Sequence, residues 1–499
     1  MFHHNKYLHI IMIVIAIGIM FVLSFEFIKF GSQSLKSTIS TSQIVSQKSP
    51  STIKPNQPEE GTTPWVYLPS VLNKFPSQSV FGVTFLPSLN EPNSGFSKFQ
   101  AGEVSWTRID VYWAAIEQNE GTYTWDTNFE QNLILAANNN IKPIIVVDGT
   151  PKWALKSGYT TCGPIAQDKF AVFGNFLNAL VQRYSAPPFN VQYWEIYNEP
   201  DAPGLMGCWG NPTDTLYFGG YYYGEMLKVA YTSIKQANPG AQVLVGGLLM
   251  DCDPDNPPTG KSSLCTMSRF LEGILESEKP NAYFDGVSFH GYDYYQSPGV
   301  YINSNWNAAS NTTGPVSIVK SEYLKKVLAQ YGFNNKYLIS TEQSLSYGGV
   351  TTCATYVPPE VQSTKVEYVI HTYTAAIAQG WKAAIYFSAA ENACKGLMNP
   401  DLTPLPAFYA YEFAEKKLNN VDFVRDVTEF PEVRGYVFLN GDRTLWVVWS
   451  NDLQDHSITL NSMPVEINRV ISATGIAQTE ANATTVTVNA DPLFIEFSP

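Results

Sequence analysis

Between about residues 78 and 415 the chain alternates short apolar, β-branched runs with segments of helical period. That alternation predicts parallel strands wrapped by helices. Eight runs can be counted: SVFGVTF near 79 to 85, VSWTRIDV near 104 to 111, KPIIVVD near 142 to 148, VQYWEIYN near 191 to 198, AQVLVGGLL near 241 to 249, FDGVSFHGY near 284 to 292, KYLISTE near 336 to 342 and KAAIYFSA near 382 to 389. Helical stretches fall between them, as in Asp168 to Arg183, Tyr221 to Ala237, Ser317 to Tyr331 and Gln362 to Gln379. Eight βα units in one stretch of this length predict an α/β fold, a (β/α)8 TIM barrel with enlarged loops. The rival, a doubly wound open sheet, lacks a G-x-G-x-x-G after the first strand.

The flanks differ. Leu8 to Phe25 is almost wholly apolar, follows Lys6 and just reaches the length of a membrane-spanning helix, so residues 1–30 are read as a transmembrane anchor or signal segment. No clear small-x-small cleavage site follows it, which favours an uncleaved anchor at the cell membrane with the rest extracellular; cleavage would make the chain secreted. Residues 31–77 are rich in Ser, Thr, Gln and Pro and read as a disordered linker, in which only Trp65 to Leu72 is apolar enough to dock. Past Leu418 the helical period stops and alternating runs such as TLWVVWSN and LFIEFS predict a small all-β, sandwich-like domain over 416–499.

Composition narrows the partners. With 31 Lys and Arg against 44 Asp and Glu, the net charge of −13 repels phosphate backbones, so no nucleic-acid partner is expected. Aromatics make up 14% of residues and charged side chains only 15%, which suits an uncharged polymer that stacks on rings.

In a barrel, catalytic groups stand at the C-terminal strand ends. Two glutamates meet that condition: Glu199, in Asn198-Glu199-Pro200 after the fourth run, and Glu342, which closes the seventh. A carboxylate in a doubly buried strand is disfavoured unless something needs it. Asn-Glu-Pro after strand four together with a lone Glu closing strand seven resembles the retaining clan A glycoside hydrolases, the superfamily of cellulases, xylanases, mannanases and β-xylosidases. The resemblance spans about 78 to 415, and Thr150-Pro151-Lys152-Trp153-Ala154 after the third run looks more like the β-xylosidase and iduronidase branch.

What the resemblance implies is a retaining β-glycosidase acting on a poly- or oligosaccharide, with Glu199 as acid/base and Glu342 as nucleophile. It implies that Arg108 keeps Glu342 ionised, that Asn198 meets the sugar 2-hydroxyl, that Tyr292 donates to the nucleophile and that His290 lines the floor. Trp153 joins them as a substrate-binding platform. Many members carry Trp at the end of strand eight, where this chain reads Ile385-Tyr386-Phe387-Ser388, so either Phe387 substitutes or the floor differs. No cofactor is implied. A non-catalytic carbohydrate-binding protein and an envelope transglycosylase are the alternative functions.

Six cysteines fall in loops on the predicted catalytic face. No C-x-x-C or His pairing points to a metal site. Loop adjacency favours Cys162 with Cys208, Cys252 with Cys265, and Cys353 with Cys394.

Overall fold

The computed structural model describes residues 79–498 apart from 160–161, 203–208, 262–263, 307–313, 349–356, 391–393, 461–466, 474 and 480–483. The apolar run, the linker with its Trp65 to Leu72 stretch, Cys208 and Cys353 lie outside the described residues. Among the described residues, no helix is long and apolar enough to cross a membrane.

The eight expected strands form. They are β1 (Phe81–Val83), β2 (Trp106–Tyr112), β3 (Lys142–Asp148), β4 (Tyr193–Asn198), β5 (Gln242–Leu248), β6 (Gly286–Ser297), β8 (Tyr337–Ser346) and β9 (Ala384–Tyr386), with β7 (Val300–Ile302) turning back antiparallel on β6. Their order runs β5-β4-β3-β2-β1-β9-β8-β6, every neighbour parallel, and β5 pairs with β6 to close the barrel. Parallel strands covered on both faces read as continuous apolar runs. Ile144, Ile145, Val146 and Val147 of β3 accordingly have no exposed surface.

Among the described residues, seven helices of nine residues or more cover the outside: α1 (Thr127–Asn138), α2 (Phe170–Tyr184), α3 (Gly220–Ala237), α4 (Phe270–Glu278), α5 (Val316–Gln330), α6 (Pro359–Ala378) and α7 (Pro406–Leu418). In α2, Phe170, Phe173, Leu177, Leu180, Val181 and Tyr184 fall on one face and are buried, the helical spacing that set the expectation. The first βα unit departs from the pattern. Between β1 and β2 the described chain makes only a 3-10 turn at Phe96–Lys98, because Pro87, Pro92, Gly95 and Gly102 interrupt any helix there.

The barrel interior is layered. Trp106, Ile144, Tyr193, Leu244, Ile339, Ala383 and Ile385 fill its lower part as a separate apolar cluster. Above this plug the inward positions become polar, beginning with Arg108 and Glu195, and that change of layer makes a floor for a site at the C-terminal mouth.

The C-terminal strands make a six-stranded sheet, β10 (Asp422–Asp426), β11 (Val433–Asn440), β12 (Arg443–Ser450), β17 (Leu493–Phe497), β14 (Ile467–Ser472) and β15 (Ala477–Thr479) in spatial order, and a separate pair of β13 (His456–Thr459) with β16 (Thr485–Val488). Strand β12 is buried on both faces: Leu445, Val447 and Trp449 join the core shared with the barrel, while Trp446 and Val448 join the core of the sandwich. The small all-β domain expected over 416–499 thus shares an apolar core with the barrel through β12. Phe494 meets Phe413 of α7 with ring centroids 4.9 Å apart, and Trp449 packs 4.2 Å from His371 of α6.

Candidate active site

Two departures from regular strand geometry aim the acidic side chains. Ile339 of β8 points into the barrel, so strict alternation would send Thr341 inward and Glu342 outward. The pairing of β8 with β6 instead skips a residue, Phe289 facing Ser340 and His290 facing Glu342. This bulge at Thr341 turns Glu342 into the barrel beside His290. On β4, Tyr197 and Glu199 take left-handed φ values of 65° and 41°. The turn carries the Tyr197 ring outward against Trp209, 4.9 Å away, and leaves Asn198 beside Arg108. Such conformations cost about 1–3 kcal/mol each; here Tyr197 is fixed by packing and by a 2.6 Å hydrogen bond between its hydroxyl and Thr150.

The side chains converge on Arg108. Its Nη1 donates to Glu342 Oε1 in an ion pair, and its Nη2 donates to Glu195 Oε1 at 2.6 Å and to Asn198 Oδ1 at 2.8 Å. With its carbonyl oxygen so engaged, Asn198 keeps its amide N–H groups for another acceptor or a sugar oxygen. The Tyr292 hydroxyl donates to Glu342 Oε2. His290 Nδ1 lies 2.8 Å from Glu199 Oε1 and 3.7 Å from Glu342 Oε2. Glu199, His290 and Glu342 each present an atom within 4.8 Å of the other two, the one such His and carboxylate trio found among the described residues. The same spacing could hold a metal ion, but the Arg108 guanidinium already supplies a fixed positive charge against Glu342 and opposes a second one.

The electrostatics favour the charged form of Glu342. Burial works to raise the Glu342 pKa, but His290, Arg108 and the Tyr292 hydrogen bond outweigh it and hold the carboxyl below its ordinary value. For His290, burial opposes the charge, yet Glu342 and the bond to Glu199 raise the imidazole above its usual value. Burial likewise disfavours charge on Arg108, and Glu195 and Glu342 overcome it, so the guanidinium is held firmly protonated.

Of the residues singled out in the sequence, Glu199, Glu342, Arg108, Asn198, His290 and Tyr292 come together in this cluster. Phe387, half-buried at the end of β9, meets Tyr292 edge-on with centroids 6.4 Å apart, so an aromatic ring does stand at the expected place. Trp153 does not join them. Its ring packs on Trp113 at 5.5 Å, and its Nε1 donates to the carbonyls of Glu117 at 3.3 Å and Gln118 at 3.1 Å. Trp113, Trp209 and Trp306 are core side chains with 0%, 1% and 2% of their surface exposed. Cys252 and Cys265 form the expected disulfide. Cys162 and Cys394 are also disulfide-bonded, and the pairings expected for them involve Cys208 and Cys353, outside the described residues.

Two contributors went unassigned in the sequence. Glu195 is fully buried and takes both the Arg108 bond and the Gly247 N–H at 3.1 Å; an acid inside a strand otherwise buried on both faces was its signal. Gly247 of β5 lies under the histidine, where a Cβ would come within 2.2 Å of His290 Nε2. Its signal was a Gly-Gly pair inside a strand, which marks close approach of another group.

No protein-family model matches the sequence, and no curated protein does. Solved structures do. A family 39 glycoside hydrolase from Bacteroides cellulosilyticus WH2 has a TM-score of 0.63 and 18% identity, covering 84% of this chain and 81% of its own. A GH30 endoxylanase from Clostridium papyrosolvens C71 has a TM-score of 0.54 and 13% identity, covering 86% and 98%. A family 30 subfamily 8 xylanase from Clostridium acetobutylicum has a TM-score of 0.53 and 12% identity, covering 84% and 96%. At these identities the likeness is one of fold: the chain shares the parallel barrel of the clan A glycoside hydrolases.

Proposed function

We propose that the protein is a retaining β-glycosidase that cleaves a poly- or oligosaccharide by double displacement. The observation that carries this reading is the pair Glu199, just after β4, and Glu342, on β8, each presenting one carboxyl oxygen within 4.8 Å of the other's. Retaining glycosidases hold their carboxyls about 5–5.5 Å apart, whereas inverting enzymes need about 6.5–9.5 Å to admit a water. Glu342, kept ionised by Arg108 and Tyr292, attacks the anomeric carbon. Glu199, hydrogen-bonded through Oε1 to His290 Nδ1, acts as the acid that protonates the leaving oxygen. Once Glu342 is esterified its negative charge is gone, and Glu199 takes the proton of the water that releases the sugar. Asn198, its oxygen held by Arg108, offers its N–H groups to the 2-hydroxyl.

The experiment is a panel of aryl β-glycosides and polysaccharides with the wild-type protein and Glu342→Ala. Turnover of at least one substrate, abolished in the variant, is expected. Turnover that survives the substitution would refute the assignment.

We also read Leu8 to Phe25 as an anchor that holds the enzyme on the outer side of the cell membrane. Carbonate-washed membranes of expressing cells should retain the full-length chain; its recovery in the medium would contradict the anchor.

A further inference from the structure

Three side chains on the rim of the barrel mouth are left without a task by the mechanism. Arg108, Asp110 and Tyr112 alternate along β2 on its inward face, since Val111 belongs to the outer core and Ile109 packs against it. On β3, Ile144 belongs to the interior plug and Val147 to the outer core, so Asp148 faces inward, and the register sets it beside Tyr112. Asp110 and Asp148 thus stand directly above Arg108, facing the space over the catalytic pair.

Their oxygens are unspent. Glu195, Glu342 and Glu199 are each engaged by Arg108, Tyr292 or His290. Asp110 makes no hydrogen bond to any described residue, and Asp148 accepts only the N–H of its own neighbour Gly149, at 2.6 Å. Tyr112 is 53% exposed. Its ring is braced from behind by Gly149, whose φ is 76° and where a Cβ would come within 3.2 Å of Tyr112 Cδ1. The two acids and the phenol sense each other: Asp110, then burial, then Asp148 push the Tyr112 hydroxyl up to about 12, and burial pushes Asp148 up to about 6. Two neighbouring carboxylates that form no ion pair with a described residue repel, an effect that Arg108 beneath them offsets only in part, and a fold keeps such a cost where a ligand uses it.

Resting on the glycosidase reading above, we propose that Tyr112, Asp110 and Asp148 form the wall that selects the sugar. The exposed ring takes a C–H face of a pyranose, and the carboxylates accept from its hydroxyl or ammonium groups. A neutral or amino sugar satisfies them. A uronic acid or sulfated sugar places like charge against them and is refused.

The test uses 4-nitrophenyl β-xyloside, β-glucoside, β-glucosaminide and β-glucuronide with the wild type, the Asp110→Asn/Asp148→Asn double variant and Tyr112→Ala. The wild type should prefer a neutral or amino glycoside to the glucuronide. The xyloside and glucoside arms read hydroxyl donors, and the glucosaminide arm reads an ammonium. In the double variant kcat/KM on the preferred glycoside should fall about ten- to a hundredfold, mostly through KM, as loss of hydrogen bonds to charged acceptors implies, and the preference over the glucuronide should narrow by a similar factor. Tyr112→Ala should weaken every glycoside alike. A wild type that favours the glucuronide, or a preference unchanged in the double variant, overturns the proposal. If the wild type turns over none of the four, the glycosidase reading is decided by the polysaccharide arm of the panel above and the wall is judged separately, by saturation-transfer NMR of the same glycosides. Transfer to a neutral or amino ring that is lost in the double variant upholds it, and equal transfer in both proteins, including none, overturns it.

Discussion

Arg108 Nη2 lies 2.6 Å from Glu195 Oε1, and the same guanidinium holds Glu342 through its other nitrogen. The proposed nucleophile, Glu342, is therefore positioned by a cation that is itself anchored to a third glutamate with no exposed surface. Removing one partner of a buried pair costs about 3–5 kcal/mol. Glu195→Ala should lose stability on that order, and Glu195→Gln, which keeps an oxygen for Arg108, should lose less. Both should lower kcat/KM on every substrate. Urea midpoints and rates identical to wild type would show that Glu195 positions nothing.

If Glu199 and Glu342 have the proposed roles, their substitutions should fail differently. Glu342→Ala leaves no anion to form the intermediate and should abolish turnover of all glycosides. Glu199→Ala should hurt poor leaving groups most, because an activated aryl glycoside departs without a proton. A comparison of nitrophenyl and alkyl glycosides checks this. Equal loss on both would argue against an acid role.

Gly247 tests the support of Glu199, the proposed acid/base. A methyl there meets His290 Nε2 at 2.2 Å, so Gly247→Ala should push the imidazole away from Glu199. Overpacking typically costs about 1–3 kcal/mol, and the drop in kcat should exceed what that destabilisation explains. A fully active, folded Gly247→Ala protein would mean that the His290 contact with Glu199 is dispensable.

His371 gives the junction of barrel and sheet a pH dependence. It is 3% exposed, accepts or donates a 2.8 Å hydrogen bond with Tyr301 and packs on Trp449, and burial drops its pKa from 6.5 to about 3. The unfolded chain binds this proton more readily, so the histidine's contribution is fully present above about pH 6.5 and is lost as pH falls toward 3. A shift of this size is worth on the order of a few kcal/mol. Denaturation midpoints from pH 7 to 4 should fall less steeply for His371→Gln than for wild type; parallel curves would contradict this.

Much of this architecture was legible because parallel strands impose a long-range rhythm on composition. The limits of α2 and α3 were readable to within two residues from helical spacing alone. The missing first helix was also written in the sequence, as two prolines and two glycines between β1 and β2. The site was harder to read, because its aim depends on departures from regularity. Nothing local in Ser340-Thr341-Glu342 announces a bulge, yet without it alternation would turn Glu342 away from Arg108. Trp153 misled for a related reason: an aromatic residue after a strand looks the same whether it faces a sugar or, as here, another tryptophan. The union of barrel and C-terminal sheet was visible only in part, since TLWVVWSN shows a strand buried on both faces without saying what covers the second one.

The most direct test of the account is the anomeric configuration of the first-formed product. Proton NMR during hydrolysis of whichever aryl β-glycoside the enzyme turns over reads it before mutarotation. On the proposed double-displacement route, which one carboxyl oxygen each of Glu199 and Glu342 within 4.8 Å favours, the β-anomer should appear first and the α-anomer only as mutarotation proceeds. Initial formation of the α-anomer would contradict the assignment of Glu342 as nucleophile and with it the mechanism.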